Sequence, residues 1–313
     1  MSKYRKNLPQ LSDKLFICDG GLETTLIFQD GINLPEFAAF VALNDDAGRR
    51  ALLRYYRAYL DIAQRRGLGM ILDSPTWRSN TDWGNKLGYS KQDLTSVNKA
   101  AVRFVEDLRI LFETEQSIIV VDGVIGPRGD GYVPSARLTV QEAETYHSDQ
   151  IGAFAESSAD MVTALTMNYV EEAVGIALAA RAAAIPVAIS FTVETDGRLP
   201  TGQSLQDAIE ATDAASGSAP VYYMINCAHP THFSAQLGSS ARWLDRVRGL
   251  RANASKMSHA ELNESPILDA GNPTELGQEY VALRSTLRNL NVIGGCCGTD
   301  HRHVDEISRA FTV

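Results

Sequence analysis

No run of about 18 consecutive apolar residues occurs in the chain, so no membrane-spanning helix and no membrane partner is expected. Basic residues are outnumbered, 29 Lys and Arg against 38 Asp and Glu, for a formal net charge of −9. That balance argues against nucleic acid, which calls for a basic footprint. Cysteine is scarce as well. Four in 313 residues are too few for a disulfide scaffold, and free thiols acting as metal ligands suit a reducing cytoplasm. The basic start Met1-Ser2-Lys3-Tyr4-Arg5-Lys6 is not followed by an apolar stretch, so it does not read as a secretory signal. Internal repeats, low-complexity tracts and Pro/Gly/Ser linkers are also lacking, and residues 1–313 are expected to form a single domain.

What is present is an alternation of short apolar runs with longer segments of helical period, the pattern of repeated βα units. Strands are expected at 15–18, 70–73, 117–121, 161–165, 186–191, 221–225, 249–253 and 292–294. Helical stretches fall at 49–66, 95–112, 140–157, 170–184, 204–215 and 275–290, with a shorter, irregular connection after the sixth strand. Eight such units point to an α/β fold of the (β/α)8 TIM-barrel type; an open doubly wound sheet is the alternative. Barrel active sites lie at the C-terminal ends of the strands. Polar residues fall there: Asp19, Asp73, Asp122, Thr166, Thr192, Asn226, Cys227, Asn253, Cys296 and Cys297.

Three of the four cysteines share this placement. Cys227 closes the run 221–226, and Cys296 and Cys297 follow the strand at 292–294. Three thiolates from two strand ends are able to hold one Zn2+ with its fourth position open to substrate, the arrangement of a catalytic rather than a structural zinc. Gly294, Gly295 and Gly298 around the pair allow positive φ and close approach of the backbone to a bound group. Histidines offer a rival ligand set, His229 with His232, or His301 with His303; the latter two more naturally open the last helix. Cys18, on the first strand, reads as core.

Taken together, Asp19-Gly20-Gly21-Leu22-Glu23-Thr24, Asn226-Cys227 and Gly294-Gly295-Cys296-Cys297-Gly298 resemble the zinc-dependent homocysteine S-methyltransferase family, from about residue 15 to 310. The resemblance implies that Cys227, Cys296 and Cys297 are the zinc ligands and that the Asp19-Gly20-Gly21 loop, with Glu23, binds the carboxylate and amine of homocysteine. It also implies that aromatic residues near Phe37 and Trp77 line the donor pocket, as in the betaine-using relatives. Thr166 and Asn226, at the strand ends beside the cysteines, join the candidate substrate-binding residues. A plain βα turn with Asp19 as a helix cap is the structural alternative for the first loop, and core capping is the alternative for Phe37 and Trp77.

Two positions depart from the family pattern. Leu165, in Ala164-Leu165-Thr166-Met167-Asn168, stands where the family commonly has a glutamate that helps hold the amino group of homocysteine; Glu171 or Glu194 are substitutes to consider. Ala252-Asn253-Ala254-Ser255 replaces a Pro-Asn-Ser-Gly segment, with Asn253 retained.

The chemistry of such a site is that of a nucleophile. Three thiolates on one Zn2+ leave a formal charge of −1, a poor Lewis acid for carbonyls but a good holder of a substrate thiolate. The fitting partner is a cationic methyl donor, which aromatic faces attract. The reading is a zinc-dependent thiol S-methyltransferase that makes methionine from homocysteine. S-methylmethionine leads as donor, followed by S-adenosylmethionine and betaines. The alternatives are the same chemistry on another thiol, or a non-catalytic zinc-binding or redox-sensing protein with a vicinal Cys296–Cys297 disulfide.

Overall fold

The computed structural model describes residues 1–134, 136–238 and 242–312. Eight parallel strands close into a barrel in sequential order: β1 (Phe16–Ile17), β2 (Gly69–Asp73), β3 (Ile119–Ile125), β4 (Met161–Met167), β5 (Val187–Phe191), β6 (Pro220–Asn226), β7 (Val247–Ala252) and β8 (Val292–Gly295). The barrel expectation therefore holds, and the open sheet is excluded because β1 pairs with both β2 and β8.

Seven longer helices surround it: α1 (Asp46–Arg66), α2 (Lys91–Phe112), α3 (Val140–Ala155), α4 (Val170–Ala182), α5 (Leu205–Ser216), α6 (Pro273–Leu283) and α7 (His301–Thr312). Their starts follow from capping chemistry. Ser90 with Asp93 and Thr139 with Glu142 form reciprocal capping boxes, and Asp45 accepts from the Gly48 N–H. Between β6 and β7 the described residues form the one-turn helix Pro230–Phe233 with 3-10 turns after it, as the irregular sequence there suggested. Helix α6 stops at Leu283, earlier than expected. Ser285 bonds back to the Ala282 carbonyl and the Asn289 amide reaches the Asp245 carbonyl, so short polar side chains divert the backbone from helix.

Two apolar layers result. One lies between strands and helices and includes Ile17, Leu72, Val121, Ile189 and Tyr280. The other fills the barrel with Phe16, Cys18, Ile71, Val120, Met161, Tyr222 and Met224, joined at its base by Leu8 of the N-terminal segment. Cys18 is thus core, as expected. Strand β3 runs on to Ile125, which corrects the placement of Asp122. It pairs in register with Asp73 as a fully buried mid-strand residue rather than standing beyond the strand end. Burial, then the Asp73 charge, pushes its carboxyl well above the usual range. No described helix is long and apolar enough to cross a membrane.

Candidate active site

Strand β7 sets the spacing of the three cysteines. The Cys227 N–H donates to the Arg251 carbonyl at 3.0 Å from one side, and the Cys296 N–H donates to the Ala252 carbonyl at 2.8 Å from the other. This brings the Sγ atoms of Cys227, Cys296 and Cys297 within 4.8 Å of one another, the only such cluster of potential metal ligands among the described residues. Cys227 and Cys296 are joined as a disulfide with Cα atoms 5.4 Å apart, and Cys297 is a free thiol. The vicinal pair expected of a redox sensor is therefore corrected: the flanking strands carry Cys296 to Cys227 rather than to its own neighbour. A metal set needs both sulfurs as thiolates, so the disulfide and the ligand set are mutually exclusive.

The sulfurs fit a zinc ion by position and by surroundings. Two sulfurs at about 2.3 Å from one zinc stand roughly 3.8 Å apart, a spacing inside the 4.8 Å span of the cluster that Cys227 and Cys296 reach once their bond is reduced. Each also has one neutral hydrogen-bonding neighbour, Thr166 Oγ1 at 4.0 Å from Cys227, Asn226 Nδ2 at 3.9 Å from Cys296, and Tyr132 Oη at 3.9 Å from Cys297. Burial pushes the Cys297 thiol up to about 11, so a compensating cation is what makes it a ligand at neutral pH. The histidines are engaged elsewhere. His229 Nε2 meets Glu279 at 3.1 Å, His232 the Lys256 carbonyl at 2.9 Å, and His303 the Ala270 carbonyl at 2.7 Å; His301 opens α7.

Beneath the sulfurs, the Asn226 carboxamide ties three strands. It accepts from the Thr166 N–H at 2.9 Å and from Ser190 Oγ at 2.6 Å, and donates to Thr166 Oγ1 at 2.8 Å. Thr166 and Cys227 both adopt left-handed backbone, φ 65° and 54°. Such a conformation costs on the order of 1–3 kcal/mol and persists only where the surroundings over-determine it, often at functional sites.

The first loop behaves differently from its sequence reading. The Gly21 N–H donates to the Thr299 carbonyl at 3.0 Å and is not free for an anion. A Cβ at Gly20 would stand 2.7 Å from the Tyr59 hydroxyl, so this glycine is needed for close packing. Nor does Asp19 cap a helix: its carboxylate pairs with the Arg251 guanidinium, which also pairs with Asp73. Burial raises the Asp19 carboxyl and the Arg251 charge opposes that rise. Of the glycines by the cysteines, Gly298 alone takes positive φ, 78°.

These residues open onto one cavity of about 390 Å³ at the C-terminal mouth of the barrel. Asp19, Gly20, Gly21, Glu23, Phe37, Trp77, Thr166, Asn226, Cys227, Cys296 and Cys297 all line it, whereas Asp122 and Thr192, also expected at strand ends, do not. Leu165 lines it too, whereas Glu171 and Glu194 do not; they pair with Arg137 at 2.9 Å and His259 at 3.2 Å. Glu23 has no cationic partner within 4.0 Å among the described residues, and burial raises its carboxyl.

Of the lining residues that escaped the sequence reading, four bear directly on the site. Tyr132 stacks on His259 at 4.1 Å between centroids, and a ring nitrogen of His259 meets the Cys227 carbonyl. Arg78 lies over Trp77 at 4.2 Å, so one ring face expected to serve the donor already carries a guanidinium. Arg251 did leave a signal: a charge within an otherwise apolar strand must have a buried partner.

The sequence model of the family described as homocysteine S-methyltransferase matches residues 16–311. In three dimensions the chain is similar to crystal structures of the homocysteine methyltransferase MmuM from Escherichia coli. The oxidized form matches with a TM-score of 0.74 over 98% of this chain and 99% of that one, at 18% identity. The metallated form matches at 0.72 over 97% and 99%, and the apo form at 0.66 over 97% and 98%, each also 18% identical. No curated protein matches the chain in sequence.

Proposed function

The chain belongs to the homocysteine S-methyltransferase family, a methyltransferase acting on a thiol, and on that footing we propose that it is a zinc-dependent enzyme that makes methionine. The acceptor is homocysteine and the donor a small onium compound, S-methylmethionine ahead of S-adenosylmethionine and betaines. The observation that carries this reading is the cluster of three cysteine sulfurs within 4.8 Å in the wall of the barrel-mouth cavity.

Cys227, Cys296 and Cys297 would hold the zinc, which when bound keeps a substrate thiol ionised at neutral pH. Thr166, Asn226 and Tyr132 offer these sulfurs neutral hydrogen-bonding neighbours that add no charge. Glu23 is the carboxylate available to the ammonium of homocysteine, because Asp19 is engaged by Arg251. Phe37 and Trp77 form the apolar wall for the onium methyl groups. As the thiolate sulfur attacks the methyl carbon, a new S–C bond forms, the bond to the onium centre breaks, and the leaving group departs neutral. Residues 1–313 act as one barrel domain, and a reducing cytoplasm suits Cys227 and Cys296 as thiolates. Leu165 favours one variation, an acceptor thiol without an ammonium, because it puts an apolar side chain in the cavity wall.

A matrix of thiols against onium donors, read by mass spectrometry for the methylated thiol, tests the proposal. Zinc-loaded protein should convert homocysteine to methionine and hold about one zinc per chain. Cys297→Ser should lose most of the metal and the activity. Full zinc content and rate in that variant refute the ligand assignment, and a preference for 3-mercaptopropionate over homocysteine supports the variation.

A further inference from the structure

Loops from β3, β5 and β7 meet the end of β6 at one imidazole. His259 lies in the loop after β7, lines the active-site cavity, and has a side chain only 9% exposed. Its Nε2–H donates to the carbonyl of Cys227, just past β6. Its Nδ1 stands 3.2 Å from the Glu194 carboxylate, in the loop after β5. One ring face stacks on Tyr132, from the loop after β3, with centroids 4.1 Å apart and planes inclined by 30°. Both ring nitrogens are engaged by the protein, so the imidazole is not placed to act on a substrate. Its contacts lead instead to the cysteines.

Cys227 has left-handed backbone, φ 54°, which a residue with a Cβ keeps only where its surroundings over-determine it. Its N–H donates to the Arg251 carbonyl at 3.0 Å, and its carbonyl accepts from Asn253 Nδ2 at 3.1 Å as well as from His259. Arg251 is on β7 and Asn253 directly follows it, so these two contacts come with the barrel. The third comes from the loop beyond. The carbonyl turns with the same backbone dihedrals that aim Sγ, so each donor to it narrows where the sulfur points. The far side of the stack reaches a second cysteine, with Tyr132 Oη 3.9 Å from Cys297 Sγ. Removing the imidazole therefore loosens Cys227 through its carbonyl and Cys297 through Tyr132.

We propose that His259 is a positioning residue for the sulfur cluster, holding two of the three sulfurs at the spacing a metal requires. This rests on the zinc-site reading of the three cysteines. The barrel brings the cysteines near one another, and the loop after β7 sets how tightly they hold an ion. Zinc affinity thereby depends on a residue that is not itself a ligand.

Zinc affinity of the reduced protein is measured by competition with a chromophoric chelator, on parent, His259→Gln, His259→Asn, Tyr132→Leu and the double variant His259→Asn/Tyr132→Leu. A glutamine amide reaches about as far as Nε2 and still donates to the Cys227 carbonyl, whereas an asparagine amide stops near the place of Nδ1. Loss of a group that orients metal ligands weakens metal binding about 10- to 100-fold. His259→Asn should show that loss and His259→Gln should stay close to the parent. Tyr132→Leu should also weaken zinc, and the double variant should lose less than the product of the single losses, because the stacked pair acts as a unit. A merely structural histidine would lower the melting temperature of the metal-free protein and leave zinc affinity alone. Unchanged affinity in His259→Asn, equal losses in the Asn and Gln variants, or a double loss equal to the full product overturns the proposal. Absence of zinc binding by the parent fails the zinc-site reading instead. The Cys227–Cys296 disulfide-to-dithiol ratio of metal-free protein at a fixed glutathione ratio, counted by mass spectrometry after thiol trapping, then decides His259 by itself. That ratio should fall about 3- to 10-fold in His259→Asn, as for loss of one hydrogen bond, and hold in His259→Gln. A ratio unchanged in His259→Asn overturns the positioning role.

Discussion

Replacing Arg251 with leucine removes the cation that pairs with both Asp19 and Asp73 inside the barrel. Side-chain exposure in this cluster is 7% or less for all three residues, so solvent does not screen the charges left behind. Breaking a buried pair by deleting one partner costs about 3–5 kcal/mol. For a chain of this size each kcal/mol corresponds to about 2 °C, giving a fall in melting temperature of about 6 to 10 °C at pH 7. The loss should depend on pH. Without a counter-cation, burial raises the folded-state pKa of the orphaned carboxyls above the unfolded value of about 3.9. A group raised in this way contributes stability below its unfolded pKa and loses it as pH rises through the folded one. The gap between parent and variant is therefore widest at pH 7–8 and narrows towards pH 5. Thermal melts followed by circular dichroism at pH 5, 6, 7 and 8 measure it. The triple variant Asp19→Asn/Asp73→Asn/Arg251→Leu should recover much of the loss, because all three members of the ion-paired cluster are then neutral. A gap that is the same at every pH, or a melting temperature within about 2 °C of the parent, refutes the reasoning.

Two further outcomes follow from the cavity. Trp77→Ala should raise the donor KM about 30-fold, since a desolvated cation–π contact is worth about 2 kcal/mol, and leave the homocysteine KM nearly unchanged; equal effects on both substrates would mark Trp77 as core packing. Glu23→Gln should raise the homocysteine KM about 10- to 100-fold while sparing 3-mercaptopropionate, which has no ammonium to lose a partner. Parallel loss for both thiols in steady-state assays would assign Glu23 to the fold.

The repeated short apolar runs, separated by helical segments with their own caps, were enough to specify eight strands and a closed barrel. Each run is buried on both faces and has few other places to go. The cysteines were legible for the same reason: a thiol at the end of a buried strand, flanked by glycines, has few roles. Local pattern also placed Asp19, Phe37 and Trp77 at the catalytic face.

What the sequence did not contain was the pairing of charges across the barrel. Asp19 follows β1, Asp73 ends β2 and Arg251 lies on β7, and 178 residues separate Asp73 from Arg251. Only closure of the sheet shows that Asp19 is already paired with Arg251, whereas Glu23 has no cationic partner within 4.0 Å among the described residues. The same holds for Arg78. In sequence it is one more charge after a strand, but three-dimensional packing buries it between two tryptophans and gives Arg109 and Arg251 carboxylate partners within 4.0 Å while giving it none among the described residues. Periodicity and local motifs are properties of neighbouring residues, so the sequence by itself determined the barrel and the strand ends that carry its three cysteines. The electrostatics of the cavity depend on through-space distances between remote residues, and only the tertiary structure decided them.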